Sequence, residues 1–187
     1  MAPRSDSNSG DRSRPVAGIV LVARGDERIE PGDDEVPQIE RLRVLLASFG
    51  AGGCDELYVA LGSRVVAAPE DTSTTFYLPE WYDSLDATVN AALGFAAGRD
   101  DLAGVMLQTV DSQDVSDVGI ARLLHTARRA TDVMVRATAH GHWAQPVYVG
   151  SVLLSDAAGL IAQSGGAIRF LGDHAGDVVT VDCSDLA

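Results

Sequence analysis

Short apolar runs alternate along this chain with segments whose apolar residues recur at helical spacing, and this alternation most restricts the possible folds. The first run, 16–23, is apolar at nearly every position, which is typical of a strand buried on both faces of a sheet. Strands that alternate with helices of about ten residues or more indicate βαβ units with right-handed crossovers. The sequence therefore predicts a mostly parallel sheet in a three-layer α/β/α domain, with strands at 16–23, 57–61, 75–78, 102–110, 132–137 and 178–181.

Helical periodicity and capping residues indicate where the helices lie between those strands. Gly50 is predicted as the C-terminal cap of the first helix, because glycine readily adopts the left-handed conformation that ends a helix. Ser84 and Ser116 are predicted as N-terminal caps of the next two helices. The predicted helices span 36–49, 85–97, 117–127, 152–161 and 167–171.

The length and composition are those of one folded domain. A chain of 187 residues with 46% hydrophobic residues can bury a sizeable core, and we expect a single domain over 15–187. Residues 1–14 are rich in Ser, Asp, Arg and Gly and are predicted to be a disordered tail. The aromatic content is only 5%, which favours a layered α/β design over an aromatic-rich β-sandwich.

The charge of the chain restricts its partners. The formal net charge is −13, and all 14 basic residues are arginines. Such a chain repels nucleic acid and anionic membranes, and it repels free phosphorylated substrates unless a divalent cation screens them. No apolar run reaches the ~18 residues of a membrane span, and no signal peptide is evident, so a cytoplasmic protein is expected. Cys54 and Cys183 are expected to be reduced thiols.

The ligand crevice of an open parallel sheet lies outside the carboxyl ends of its strands. The segments that follow the first, second and third strong strands are therefore candidate site loops, at 24–34, 62–64 and 111–116. Asp111 directly follows an apolar run and should stand at the mouth of this crevice. A carboxylate there suits Mg²⁺, which usually takes one or two protein carboxylates plus phosphate oxygens. The alternative is that Asp111 or Asp114 only forms a turn or caps the following helix.

Two histidines flank a glycine in the segment His140-Gly141-His142. This spacing can place two imidazoles near one metal ion, but zinc sites usually need three or four protein ligands and no third ligand is close in sequence. A solvated loop is therefore the preferred interpretation of the segment.

The residues 17–23, Ala-Gly-Ile-Val-Leu-Val-Ala, resemble the opening of the MobA-like nucleotidyltransferases, which include the molybdenum-cofactor cytidylyl- and guanylyltransferases. Other motifs of that family have similar counterparts in the same order along the chain. These are Asp55–Val59 with Leu61-Gly62, Pro79–Trp81 with Ser84-Leu85, Val110-Asp111 with Val115-Ser116, Gln145–Val147, Ser164–Arg169 and Val181-Asp182. The resemblance covers 16–187 and implies a Rossmann-like sheet of the nucleotidyltransferase type.

The resemblance also implies an activity and a set of site residues. Members of the family bind a nucleoside triphosphate with Mg²⁺ and transfer its nucleotidyl group to a phosphorylated acceptor such as molybdopterin, with CTP or GTP as donor. By position, the implied catalytic residues are Asp111 and Arg28, and the implied metal ligands are Asp111 and Asp182. The nucleotide would be held by Ala23, Arg24, Gly25, Arg28 and Gly62. The expected partners are thus a nucleoside triphosphate and a small acceptor, with the chain a monomer or a homodimer.

The triphosphate loop departs from the family pattern. Arg24 and Glu30 occupy positions where the family has glycine, Ile29 replaces methionine, and the family's lysine has no counterpart. Six carboxylates lie within 26–35, and like charges in a cleft repel each other and a triphosphate. Gln145 stands where the family has histidine. Two alternatives therefore stay open: a catalytically degenerate binding or regulatory module, and another phosphate-handling enzyme on the same α/β plan.

Overall fold

A computed structural model describes residues 14–22, 38–61, 73–77, 85–110, 112, 116–157 and 178–186. The strands are β1 (Val16–Val22), β2 (Glu56–Leu61), β3 (Thr74–Tyr77), β4 (Gly104–Thr109), β5 (Met134–Ala139), β6 (His142–Gly150) and β7 (Val178–Asp182). The helices are α1 (Gln38–Gly52), α2 (Leu85–Ala97) and α3 (Asp117–Ala127), with short 3₁₀ turns at Ser151–Leu153 and Ser184–Leu186.

The described strands form one seven-stranded sheet in the order β3-β2-β1-β4-β6-β5-β7. β6 is antiparallel to β4 and β5, and the other strand pairs are parallel. All seven residues of β1 are buried, as expected for a central strand covered on both faces. The structure thus confirms the predicted mostly parallel α/β sheet.

Helices cover both faces of the sheet. One core cluster joins α1 and α3 to the sheet through buried side chains such as Phe49 and Ile120. The other joins α2 and the turn after β6 to the opposite face through Leu93 and Leu154. These two clusters confirm the three-layer arrangement. None of the described helices combines the length and apolar character needed to cross a membrane.

The segment between β5 and β6 differs from the sequence prediction. His140 and Gly141 form the two-residue turn of a β-hairpin, since Ala139 pairs with His142 and both turn residues have positive φ, 51° and 78°. The segment is exposed to solvent as predicted, but it is a tight hairpin turn and His142 already belongs to β6, a strand that the sequence patterns did not predict. Pro146 hides this strand in the sequence, because a proline inside an apolar run argues against a ladder strand.

Helix ends and strand ends also differ from prediction in places. Gly50 lies inside α1, which continues to Gly52 and is followed by Gly53, whose φ is 108°. The amides of Gly53 and Cys54 donate to the carbonyls of Gly50 and Phe49 at 3.2 and 3.0 Å, which is a Schellman ending. Ser116 is confirmed as the N-cap of α3, accepting a hydrogen bond from the Gly119 amide.

Other boundaries move by a few residues. β5 begins at Met134 where 132 was predicted, and β4 begins at Gly104 where 102 was predicted. The predicted helix 152–161 is helical over its described part, after an initial 3₁₀ turn. Ser84 and the predicted helix 167–171 lie outside the described residues.

Candidate active site at the carboxyl ends of the strands

The carboxyl ends of three neighbouring strands meet at one edge of the sheet. In register, Val22 of β1 pairs with Leu61 of β2, and Leu21 pairs with Thr109 of β4. The Val110 amide donates to the Leu21 carbonyl at 3.0 Å, so the β1–β4 pairing continues to the residue before Asp111. The predicted nucleotide-binding and catalytic residues follow these strand ends in the sequence and lie outside the described residues. They are Ala23, Arg24, Gly25, Arg28, Gly62 and Asp111.

The chain is anchored on both sides of position 111. Ser112 donates from its amide and its hydroxyl to the Thr109 carbonyl, at 3.2 and 2.8 Å. The fully buried Gln108 side chain donates from Nε2 to the Ser112 hydroxyl oxygen at 3.0 Å. These bonds tie Ser112 to the last two residues of β4.

Gln145 holds the end of β4 from the neighbouring strand. The Thr109 amide donates to Gln145 Oε1 at 2.6 Å, and Gln145 Nε2 donates to Thr109 Oγ1 at 3.2 Å. Backbone pairing between β4 and β6 ends at Leu107 and Val147, where Pro146 has no amide hydrogen to donate. The carboxamide, which is both donor and acceptor, continues the pairing where the backbone does not. Sequence reasoning noted Gln145 only as a replacement for histidine and missed this contact.

Asp182 lies at the end of β7, at the same edge of the sheet. Three strand spacings, or ~14 Å, separate β7 from β4. The Asp182 Oδ1 atom accepts hydrogen bonds from both the amide and the hydroxyl of Ser184, and these bonds lower the pKa of Asp182 below 3.8. Within the described ranges, no group of three or more His, Cys, Asp or Glu side chains is placed to hold a metal ion. The structure therefore shows Asp182 in a local turn, and its predicted role as a metal ligand stays a prediction.

Arg136 of β5 is a buried cation that the sequence patterns did not single out. Only 8% of the residue is exposed, and its Cζ lies 4.0 Å from the centroid of the Trp143 ring. Desolvation by burial lowers the pKa of Arg136 from its ordinary value. A single arginine within an apolar strand was the only sequence signal for this group.

The two cysteines are poorly suited to chemistry. Both are free and buried. Burial raises the pKa of the Cys54 thiol to about 12, and burial also raises the pKa of Cys183. Thiols held protonated in this way are poor nucleophiles.

Comparison with known proteins supports the fold. The chain matches no protein-family model and no curated protein sequence. Among solved structures it is similar to a nucleotidyl transferase from Methanothermobacter thermautotroptrophicus, at 18% identity over 91% of this chain and 88% of that chain, with a TM-score of 0.69.

Two further structures are similar over most of their length. One is Rv0371c from Mycobacterium tuberculosis H37Rv in complex with manganese, at 17% identity, 91% and 88% coverage and a TM-score of 0.63. The other is 2-C-methyl-D-erythritol 4-phosphate cytidylyltransferase from Thermus thermophilus, at 17% identity, 87% coverage of each chain and a TM-score of 0.56. At these identities the likeness establishes the nucleotidyltransferase-type fold.

Proposed function

We propose that this chain is a divalent-cation-dependent nucleotidyltransferase that transfers the nucleotidyl group of a nucleoside triphosphate to a phosphorylated acceptor. The observation that supports the proposal is the end of β4 beside β1 at the carboxyl edge of a parallel sheet, because Asp111 directly follows Val110 in the sequence. The similar structures named as a nucleotidyl transferase and a cytidylyltransferase support the class of reaction.

The proposed reaction is a substitution at the α-phosphorus of the triphosphate. An oxygen of the acceptor phosphate forms the new bond to that phosphorus, and the bond to the bridging oxygen breaks so that pyrophosphate leaves. Bound Mg²⁺ or Mn²⁺ would supply electrostatic stabilisation of the charge on the phosphates. Asp111 is the proposed ligand, since a carboxylate suits either ion, with Asp182 as the predicted second ligand. Arg28 would neutralise phosphate charge.

CTP is the first nucleotide to test and GTP the second. The similar Thermus protein is named as a cytidylyltransferase, and the resemblance in the sequence is to cytidylyl- and guanylyltransferases that act on molybdopterin. The six carboxylates within 26–35 and the absence of lysine make direct phosphate binding unfavourable. We therefore expect nucleotide affinity to depend strongly on the divalent cation.

Calorimetry on the Asp111→Asn variant tests the proposal. CTP, GTP, ATP and UTP would each be titrated with Mg²⁺ and with Mn²⁺ into the unmodified chain and the variant. Loss of a carboxylate ligand should weaken cation-dependent nucleotide binding by about tenfold or more. Asp117→Asn is the matched control, because Asp117 lies in the first turn of α3 and bonds only its neighbour's amide in the described structure. Flat titrations with all four nucleotides at millimolar concentration would contradict the proposal.

A second candidate is a binding or regulatory module on the same fold. The acidic stretch at 26–35 favours it, since the charge there opposes a triphosphate. Such a module would release no pyrophosphate with any acceptor, molybdopterin included, and Asp111→Ala would leave its cellular function intact. Pyrophosphate release that depends on Asp111 would rule this candidate out.

A further inference from the structure

We propose that Arg136, backed by Trp143, forms an oxyanion-binding subsite that receives the phosphate of the acceptor. The subsite itself stands on the geometry of these two residues, and its assignment to the acceptor rests on the proposed nucleotidyl transfer. The first observation is that two buried N–H donor atoms of Arg136 lack acceptors. Nε and Nη1 of Arg136 are buried, and neither has a hydrogen-bond partner in the described part of the chain.

Four other arginines of the described structure have the carboxylate partner that Arg136 lacks. Arg43, Arg99, Arg122 and Arg129 each pair with an aspartate or glutamate at 2.6–3.1 Å. All four are more exposed than Arg136, of which 8% is accessible. Burying a cation without a paired anion is costly, so among these five arginines the most buried one is the one without an anionic partner in the described residues.

The Trp143 ring offsets part of this cost but cannot accept the in-plane hydrogen bonds of the guanidinium. The ring centroid lies 4.0 Å from Arg136 Cζ, a distance suited to a cation–π contact. The ring face provides no acceptor for the N–H groups of Nε and Nη1, which have no partner among the described residues. A planar fork of N–H donors matches the oxygens of a phosphate or a carboxylate. An oxyanion is therefore the class of ligand that would accept hydrogen bonds from the unpaired donors of Arg136.

The subsite lies beside the proposed nucleotide site. β5 is two strands from β4, or ~10 Å. Arg136 alternates with Val135 and Ala137, which belong to the core under α1 and α3, so it lies on the opposite face of the sheet with Met134 and Leu107. Thr109 lies two residues after Leu107 and therefore on that same face.

Trp143 pairs with Thr138 near the carboxyl end of β5, at the edge of the sheet where β1 and β4 also end. The acceptor phosphate is also the nucleophile of the proposed reaction, so the proposal requires the α-phosphate of the bound nucleotide to extend from the end of β4 towards Arg136.

Phosphate titration with Trp143 as the reporter tests the proposal. Trp81→Phe leaves Trp143 as the only tryptophan, and its fluorescence would be followed while sodium phosphate replaces sodium chloride at constant ionic strength. We expect a saturable change with no nucleotide or metal present. Arg136→Met should weaken phosphate binding by about tenfold or more, and Arg136→Lys should weaken it less. Arg41→Met, on α1, is the matched control and should bind phosphate as the parent does.

The outcomes separate the possible occupants of the subsite. Phosphate that binds equally well with saturating CTP and Mg²⁺ supports an acceptor subsite, whereas competition would assign Arg136 to the triphosphate and overturn the proposal. Formate in place of phosphate distinguishes a carboxylate site from a phosphate site, and tighter formate binding would also count against it. The absence of a saturable change in the parent contradicts the subsite whether or not Arg136→Met folds.

The test is also independent of the proposed function. Phosphate binding that depends on Arg136, in a chain that transfers no nucleotide, contradicts only the nucleotidyl transfer. Transfer activity with no phosphate binding at Arg136 contradicts only the subsite.

Discussion

Asp55 ties the start of β1 to the end of α3 through one carboxylate. Its Oδ2 accepts hydrogen bonds from the Val16 amide at 2.8 Å and from Arg129 Nη1 at 2.6 Å. Burial alone would raise the pKa of Asp55, but the bonds from Arg129 and Val16 outweigh it and lower the pKa below 3.8. A lowered folded-state pKa means stability that is present above the unfolded pKa and lost as the pH falls through the folded pKa.

Asp55→Asn should therefore destabilise the protein at pH 7 and lose its effect in acid. We expect about 1 kcal/mol, because the Asp55 side chain is 43% exposed and solvent screens the pair. The difference from the parent should shrink as the pH falls below 3.8. Urea unfolding at a series of pH values measures it, with Asp132→Asn, an exposed aspartate, as control. A difference that does not change with pH would argue against this account.

Gln145 is a positioning residue, and its replacement should lower the stability of the protein by loosening the end of β4. Gln145→Leu leaves the Thr109 amide without its acceptor, which should cost about 1 kcal/mol because this donor is half-buried. Thr109→Val is the matched variant, since it removes only the weaker bond to Thr109 Oγ1 and should cost less. Urea unfolding compares the two. If the two variants lost the same free energy of unfolding, the bond from the Thr109 amide to Gln145 would not contribute more to stability than the bond to Thr109 Oγ1.

Gln145→Leu should also weaken the cation dependence of nucleotide binding, if the proposed site at Asp111 is correct. Thr109→Val should change it little, because the Thr109 amide stays bonded. Calorimetry with CTP and Mn²⁺ measures the difference in nucleotide affinity. An unchanged affinity in correctly folded Gln145→Leu would show that Gln145 does not position the nucleotide site.

The prediction of Ser116 as a cap was correct because its cause is local, whereas the prediction of Gly50 was wrong because α1 continues to Gly52, next to a second candidate glycine. Ser116 caps α3 because its own backbone neighbours supply the donor, and such a signal is visible within four residues. The contacts of Gln145 with Thr109 and of Arg136 with Trp143 depend on which strands become neighbours. No pattern in the sequence places those residues together before the sheet order is known.

At the scale of helices, two glycines in similar helical settings should respond in opposite ways to alanine. A Cβ at Gly52, at the end of α1, would lie 2.6 Å from Ile120 Cβ, so α1 and α3 must separate. A Cβ at Gly94, inside α2, would have no neighbouring atom within 4 Å among the described residues. Gly52→Ala should cost about 1–3 kcal/mol through overpacking, whereas Gly94→Ala should stabilise by about 0.5–1 kcal/mol.

Thermal and urea unfolding of both variants test this contrast. Gly50→Ala serves as an additional control within α1, because a Cβ there meets only Leu57 at 3.5 Å in the described part of the chain. If Gly52→Ala were as stable as Gly50→Ala, the close approach of α1 to α3 would not be a feature of the molecule in solution.

The elements that sequence patterns predicted are those with an uninterrupted apolar run or a clear helical face. β1 and α3 are examples, and both were confirmed. β6 was missed because Pro146 interrupts its run and because His140-Gly141 is an unusual pair for a two-residue hairpin turn. Its burial comes from its position between β4 and β5, which is a tertiary property.

For the whole molecule, the net charge of −13 should make stability depend on salt. Repulsion among the acidic groups opposes the compact state, and screening by salt relieves it. The exposed ion pairs that salt also weakens are worth little individually. We therefore expect the Tm to rise by about 2–4 °C, equivalent to ~1 kcal/mol, between low salt and ~0.5 M NaCl. A Tm that falls over this range would show that ion pairs outweigh the repulsion.

The reversed strand β6 lies between the two halves of the sheet and supplies a side chain to each. Gln145 contacts the half that ends in β4, and Trp143 contacts Arg136 in the half that contains β5 and β7. Gln145 and Trp143 are only two residues apart, so both contacts depend on the position of the same short stretch of β6. A shift of β6 at one contact would therefore move the other, which mechanically couples the end of β4 to the buried arginine of β5.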